Sequence, residues 1–201
     1  SSFIHPHPPY APPAPWQKLY REDPPAPHCP EEPEGFKDVI GERCSLERLQ
    51  ISRQDILRTK NFYYACVSFV DYQIGRIVQA LKEKGMYEDT LILFSSDHGD
   101  MMGDFGAIGK RTMVDSSCHV PLMIKYPGQT PGHRGEPCSL VDIAPTILHY
   151  AGIDYDPAEF DGVDLFAASD REVVFSQHGC GANGTYMVTD GHNKLIYLAK
   201  T

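Results

Sequence analysis

The sequence contains no apolar run approaching the roughly 20 residues that a membrane-crossing helix needs, and no leader with a basic start and a short apolar core opens it. A single spanning helix is therefore excluded, while cytoplasmic and secreted or periplasmic locations both stay open. CxxC pairs and zinc-like spacings are also missing, because the six cysteines, Cys29, Cys44, Cys66, Cys118, Cys138 and Cys180, lie far apart. Several stand inside apolar runs, which favours buried free thiols over a disulfide framework. Basic residues are in short supply: 18 Lys and Arg face 27 Asp and Glu, for a formal net charge of -9. That balance argues against a nucleic-acid partner, which requires clustered positive charge. An enzyme handling a small anion needs positive charge only locally.

What is present is enough for one domain with a core, or for most of one: 201 residues, 41% of them hydrophobic. The chain is organised around LILFSSDHGDMMGDFGAIGK, residues 91–110. Its apolar opening reads as a buried parallel strand, delivering Ser96, Asp97 and His98 at its carboxyl end, where ligands bind in open α/β sheets. Asp97 offers a hard oxygen and His98 a neutral imidazole, a pair suited to a divalent cation; the same three residues Asp97-His98-Gly99 equally suit a cap and turn. Lys110 closes a glycine-rich stretch and can return a fixed positive charge to that end of the strand.

Proline is concentrated in the first 33 residues, 11 of the 17, so this segment should be an extended surface path. Within FIHPHPPY, His7 stands between Pro6 and Pro8 and His5 directly before Pro6, and the rigid proline backbone fixes where an imidazole points. A proline-rich ligand for aromatic-lined domains is a second reading of this segment, which its histidines oppose. Residues 31–59 read as a charged loop with a short helix near 45–50. Residues 60–84 carry the clearest helical period, with Phe62, Cys66, Phe69, Val70, Ile74, Ile77, Val78 and Leu81 on a face expected in the core, and Gly85 as the stop.

Further on, 112–118 suggests a short helix, HVPLMIKY (119–126) a strand, 138–143 another strand, and APTILHYAG (144–152) a helix. In that stretch Asp142 reads as a cap or structural contact. Short strand-like runs at 173–175, 186–189 and 195–198, joined by Gly and Asn turns, predict a small antiparallel unit.

The string SSDHGDMMGDFGAIGKRTMVDSSCHVPLMIKYPG, residues 95–128, resembles the sulfatase family, in which an Asp-His or Asp-Asn pair precedes a glycine-rich loop, a Gly-Lys pair and an apolar strand ending in Pro-Gly. Pro6-His7-Pro8-Pro9 and SLVDIAPTILHYAGI resemble the family as well. The resemblance implies an α/β fold, part of the three-layer α/β/α sandwich of alkaline-phosphatase-like enzymes, over residues 1–160, with 1–59 shaping the pocket. Residues 161–201 would begin the small antiparallel C-terminal subdomain.

It also implies the chemistry. Asp97 and His98 would contribute to a Ca2+ site, with Mg2+ or Mn2+ as alternatives; Lys110 would contact sulfate; His7 would serve the leaving oxygen, with His5 a second substrate contact. The substrate would be a small-molecule or saccharide sulfate ester. The family's nucleophile is a formylglycine made at a C/S-x-P-x-R motif, and no cysteine here opens one. That motif and the remaining Asp ligands are expected upstream, so this chain reads as the central and C-terminal portion of a larger enzyme, inactive alone. Phe105 stands in GDFG where many relatives have GDHG, removing one polar contact. A phosphonate monoester or phosphodiester hydrolase on the same scaffold, or a non-catalytic metal-binding homologue, are the competing readings.

Overall fold

The computed structural model describes residues 1–22, 24–27, 37–41, 43–167 and 169–199. The chain forms two compact units interleaved in sequence. The first comprises the described residues of Ser1–Thr90, Gly99–Lys110 and Tyr126–Gly128; the second those of Leu91–His98, Arg111–Lys125 and Gln129–Thr201.

The first unit is built on one long helix. Two short helices, α1 (Lys37–Ile40) and α2 (Leu46–Leu49), precede α3, Arg53–Glu83. The sequence period placed the start of α3 at 60, seven residues late, because the signal there is a cap and not a stripe. The Ser52 hydroxyl accepts the Asp55 N–H at 3.1 Å, and the Asp55 carboxylate accepts the Ser52 N–H at 3.3 Å. This reciprocal pair satisfies amides that have no partner within the helix. At the other end the Gly85 N–H reaches the Lys82 carbonyl and the Met86 N–H the Leu81 carbonyl, with Gly85 at φ +68°, a left-handed stop that glycine adopts freely.

The proline-rich segment lies along α3 without regular structure of its own beyond a 3-10 turn at Trp16–Lys18. Aromatic edges join the two: Trp16 meets Phe69 and Tyr72 with ring centroids 6.0 and 5.4 Å apart, Tyr20 meets Tyr64 at 5.7 Å, and Tyr10 meets Tyr63 at 6.0 Å. The Lys60 ammonium donates to the Pro25 carbonyl at 2.8 Å. The expected core face of α3 is only partly realised: Cys66 and Val70 are buried, whereas Phe62 and Ile77 remain substantially exposed. A helical period reports which side is apolar, and here the cover comes from aromatic rings of an irregular segment, spaced by prolines.

In the second unit β1 (Ile92–Ser95) pairs with β2 (Leu122–Lys125), antiparallel, with Ile92 opposite Lys125 and Ser95 opposite Leu122. This corrects the expectation of a buried parallel strand at β1: all four of its residues are half-buried, and the described partner runs the other way. An apolar run encodes burial on both faces but carries no information about strand direction. Between the two strands lies α4, Asp115–Cys118. Residues 138–143 form no strand; Leu140–Asp142 is a 3-10 turn that leads into α5, Ile143–Tyr150. Ser139 and Asp142 cap each other there, which stops an extended run from forming. As the sequence suggested, Asp142 is structural: its buried carboxylate binds the Arg171 guanidinium.

The C-terminal sheet matches expectation closely. Strands β3 (Val174–His178), β4 (Thr185–Thr189) and β5 (Lys194–Leu198) form an antiparallel meander in that order. The β4–β5 turn is closed by Asp190, whose carboxylate accepts the His192 and Asn193 N–H groups at 2.8 and 2.6 Å, a local bonding pattern that holds the group's pKa at about 2. On one face Phe175, Leu195 and Tyr197 stay open to solvent.

The five described cysteines are free thiols. Cys44 and Cys66 are buried as anticipated, but Cys138 and Cys180 are exposed. Cys29 lies outside the described residues. No helix among them is long and apolar enough to cross a membrane.

Candidate functional site

In the first unit, two segments with no sequence proximity bring His7 and Lys110 together. The Lys110 ammonium stands 2.8 Å from the His7 Nε2. The other ring nitrogen, Nδ1, is 2.7 Å from the Pro8 carbonyl, an oxygen that can only accept. Nδ1 therefore carries the hydrogen, and Nε2 presents its lone pair to the ammonium. His7 is exposed and Lys110 half-buried.

The loop that carries Lys110 is held on both sides. The Cys44 thiol donates to the Lys110 carbonyl at 3.0 Å, and the Ile108 N–H donates to the Cys44 carbonyl at 2.9 Å. Within the loop the Met101 N–H reaches the Gly109 carbonyl at 2.8 Å. Six of its residues, Met102, Gly103, Phe105, Gly106, Gly109 and Arg111, have positive φ. Three of these are not glycine, so the path is strained and has to be held by its surroundings. Gly103 admits no side chain: a Cβ there would stand 2.7 Å from the Pro27 ring and 2.8 Å from Ile56.

Two groups that sequence reasoning passed over organise this region. Asp100 accepts the Gly109 N–H at 3.1 Å and the Met102 N–H at 3.4 Å through Oδ1, and its Oδ2 accepts the Tyr10 hydroxyl at 2.6 Å. Burial, then the bond to Asp100 and its charge, raise the Tyr10 phenol well above its ordinary pKa, so it remains a donor throughout the physiological range. The available signal was the second acid of the DHGD string. His5 packs edge-on against Phe69 of α3, with ring centroids 5.9 Å apart, and its buried Nδ1 has no hydrogen-bond partner among the described residues.

The other two expected site residues belong to the second unit, just past β1. The Asp97 carboxylate accepts the His98 N–H at 3.0 Å, and its second oxygen stands 3.6 Å from the His98 Nε2. The Ser96 hydroxyl donates to the His98 carbonyl at 2.8 Å. Asp97 is largely open to solvent, whereas His98 is mostly covered, with side-chain exposures of 85% and 25%. A carboxylate oxygen and an imidazole nitrogen side by side fit part of a divalent-cation shell; among the described residues no set of three or more such ligands converges.

A family model described as Sulfatase matches residues 1–153. A choline-sulfatase of Rhizobium meliloti (strain 1021) is 32% identical over 98% of this chain and 41% of its own length, and an arylsulfatase of Clostridium perfringens (strain 13 / Type A) is 30% identical over 99% and 44%. Among solved structures, a phosphonate monoester hydrolase from Silicibacter pomeroyi superposes with a TM-score of 0.82 at 30% identity, covering 97% of this chain and 46% of that one. The chain thus spans less than half the length of each of these proteins.

Proposed function

The chain belongs to the sulfatase family, and from that premise we propose that it forms the leaving-group and anion-handling part of a hydrolase acting on sulfate monoesters. Its fold is the α/β one shared by sulfatases and their alkaline-phosphatase-like relatives. The observation that carries the proposal is the 2.8 Å approach of the Lys110 ammonium to the His7 Nε2. Cleaving a sulfate monoester requires positive charge for the anionic oxygens and a proton for the departing alkoxide. Lys110 supplies the first. His7 supplies the second: Nε2, the ring nitrogen beside the ammonium, would take up a proton from solvent and pass it to the leaving oxygen as the ester bond breaks, while Lys110 keeps its charge. His5, two residues earlier and with an unsatisfied Nδ1, is a further substrate contact in this reading.

Asp97 and His98 would hold a divalent cation, Ca2+ in the first instance, together with ligands from outside the described residues. The chemistry it would supply there is polarisation of the sulfate oxygens and orientation of a nucleophile. The nucleophile of this proposal is a formylglycine elsewhere in the whole enzyme, since none of the six cysteines here begins the required motif. The whole enzyme would carry a catalytic domain that takes in residues 1–160 and a C-terminal subdomain beginning at 161.

The likeness to the phosphonate monoester hydrolase supports a second reading, a phosphonate monoester or a phosphate diester as substrate on the same machinery. Turnover of an aryl sulfate beside an aryl phosphonate monoester by the full-length enzyme, with and without a chelator, separates the two. Sulfate cleavage lost on chelation is the expected result. A strong preference for the phosphonate would replace the substrate, and turnover of neither would overturn the enzymatic reading.

A further inference from the structure

Lys110 and His7 sit at the ends of two segments that have little regular structure to hold them. His7 belongs to a proline-rich path, and Lys110 ends a loop in which Met102 and Phe105 take backbone angles unfavourable to them. A 2.8 Å contact between such segments requires something to fix their separation. Asp100 bridges them: one carboxylate oxygen grips the amide of Gly109, the residue directly before Lys110, and the other receives the hydroxyl of Tyr10, three residues after His7.

We propose that Tyr10 and Asp100 are positioning residues that set the spacing of His7 and Lys110. This rests on the reading of those two as the anion and leaving-group contacts. Tyr10 suits the task. Its ring is anchored edge-on against Tyr63 of α3, so the hydroxyl is presented from a fixed support. The bond to Asp100 is short, 2.6 Å, and charge-assisted, hence stronger than a neutral one. On the far side the Cys44 thiol holds the Lys110 carbonyl, so the lysine backbone is held between two grips, and the Asp100 grip extends to the histidine's segment through Tyr10. Neither Tyr10 nor Asp100 need touch substrate.

Tyr10→Phe in the full-length enzyme is the test, because it keeps the ring against Tyr63 and removes only the donor. Loss of alignment at a reacting pair is expected to lower kcat about tenfold or more, with KM changed less and the melting temperature close to wild type. In a double-mutant cycle with Lys110→Ala, Tyr10→Phe should then add less than about a twofold further loss, since the group it positions is gone. A full tenfold loss in both backgrounds, or an unchanged kcat in the single variant, overturns the proposal. A second readout does not depend on turnover: labelling of Lys110 by an amine-reactive reagent, followed by peptide mass spectrometry, should quicken several-fold in Tyr10→Phe. If the wild-type enzyme cleaves neither ester, the proposed function falls, and labelling alone decides the positioning role; an unchanged labelling rate overturns it.

Discussion

Arg171 and Asp142, 29 positions apart, meet through two parallel hydrogen bonds of 2.7 and 2.6 Å at a carboxylate that has no exposed surface. The same carboxylate accepts the N–H groups of Ser139 at 2.7 Å and Val163 at 3.0 Å. One side chain thus ties the start of α5 to two distant stretches of loop.

Asp142→Ala should destabilise the full-length enzyme by about 3–5 kcal/mol in urea unfolding, because it leaves a guanidinium and two amides without their acceptor. The pH dependence has a definite sign. Burial alone would raise the Asp142 pKa, but the Arg171 guanidinium and the two N–H donors outweigh it and hold the carboxyl below its usual range. A group depressed in this way stabilises fully above the unfolded carboxylate value, and its contribution is lost as pH falls through the lower folded value. The stability gap between wild type and Asp142→Asn should therefore narrow on acidification; a gap that stays constant from neutral to strongly acidic pH would contradict this.

Gly103→Ala should cost about 2 kcal/mol or more, combining a positive φ with overlap against Pro27 and Ile56. Gly109 also has a positive φ, +88°, but a Cβ there would meet nothing within 4 Å, so Gly109→Ala should cost only about 1 kcal/mol. Paired urea titrations check the order. Equal losses would mean that the Pro27 contact yields freely.

His7→Ala should lower kcat by about 10²- to 10⁴-fold on an alkyl sulfate, where the alkoxide must be protonated, and by much less on a nitrophenyl sulfate, whose phenolate departs unaided. A uniform loss across leaving groups would remove His7 from that role.

Asp97→Ala and His98→Ala should each weaken Ca2+ binding by the full-length enzyme about tenfold or more, read by calorimetric titration of the metal alone. Unchanged affinity in both variants would end the metal assignment.

Much of this arrangement is readable from residue order, and the remainder is not for identifiable reasons. The helical period along α3, the Gly85 stop and the three C-terminal strands depend on local patterns, and apart from the first two turns of α3 each appears within a few residues of its expected place. The antiparallel pairing of β1 depends on which strand returns beside it, and no local pattern encodes that. His7 and Lys110 could be singled out one at a time, from prolines around an imidazole and glycines before a lysine. Their contact across 103 positions could not, nor could the Tyr10 bond to Asp100 across 90. Residues 138–143 form no strand, because the serine and the aspartate within them cap each other at the start of a turn.

The path that covers α3 has a further consequence. Trp16, Tyr20 and Tyr10 reach the helix from a backbone in which Pro6, Pro8, Pro9, Pro12, Pro13 and Pro15 have already removed much of the freedom an unfolded chain would enjoy. Laying that strap down therefore sacrifices less conformational entropy than ordering an equal length of ordinary chain. A histidine carried on it inherits the benefit: few competing shapes draw His7 away from its lysine, even though no strand or helix holds it in place.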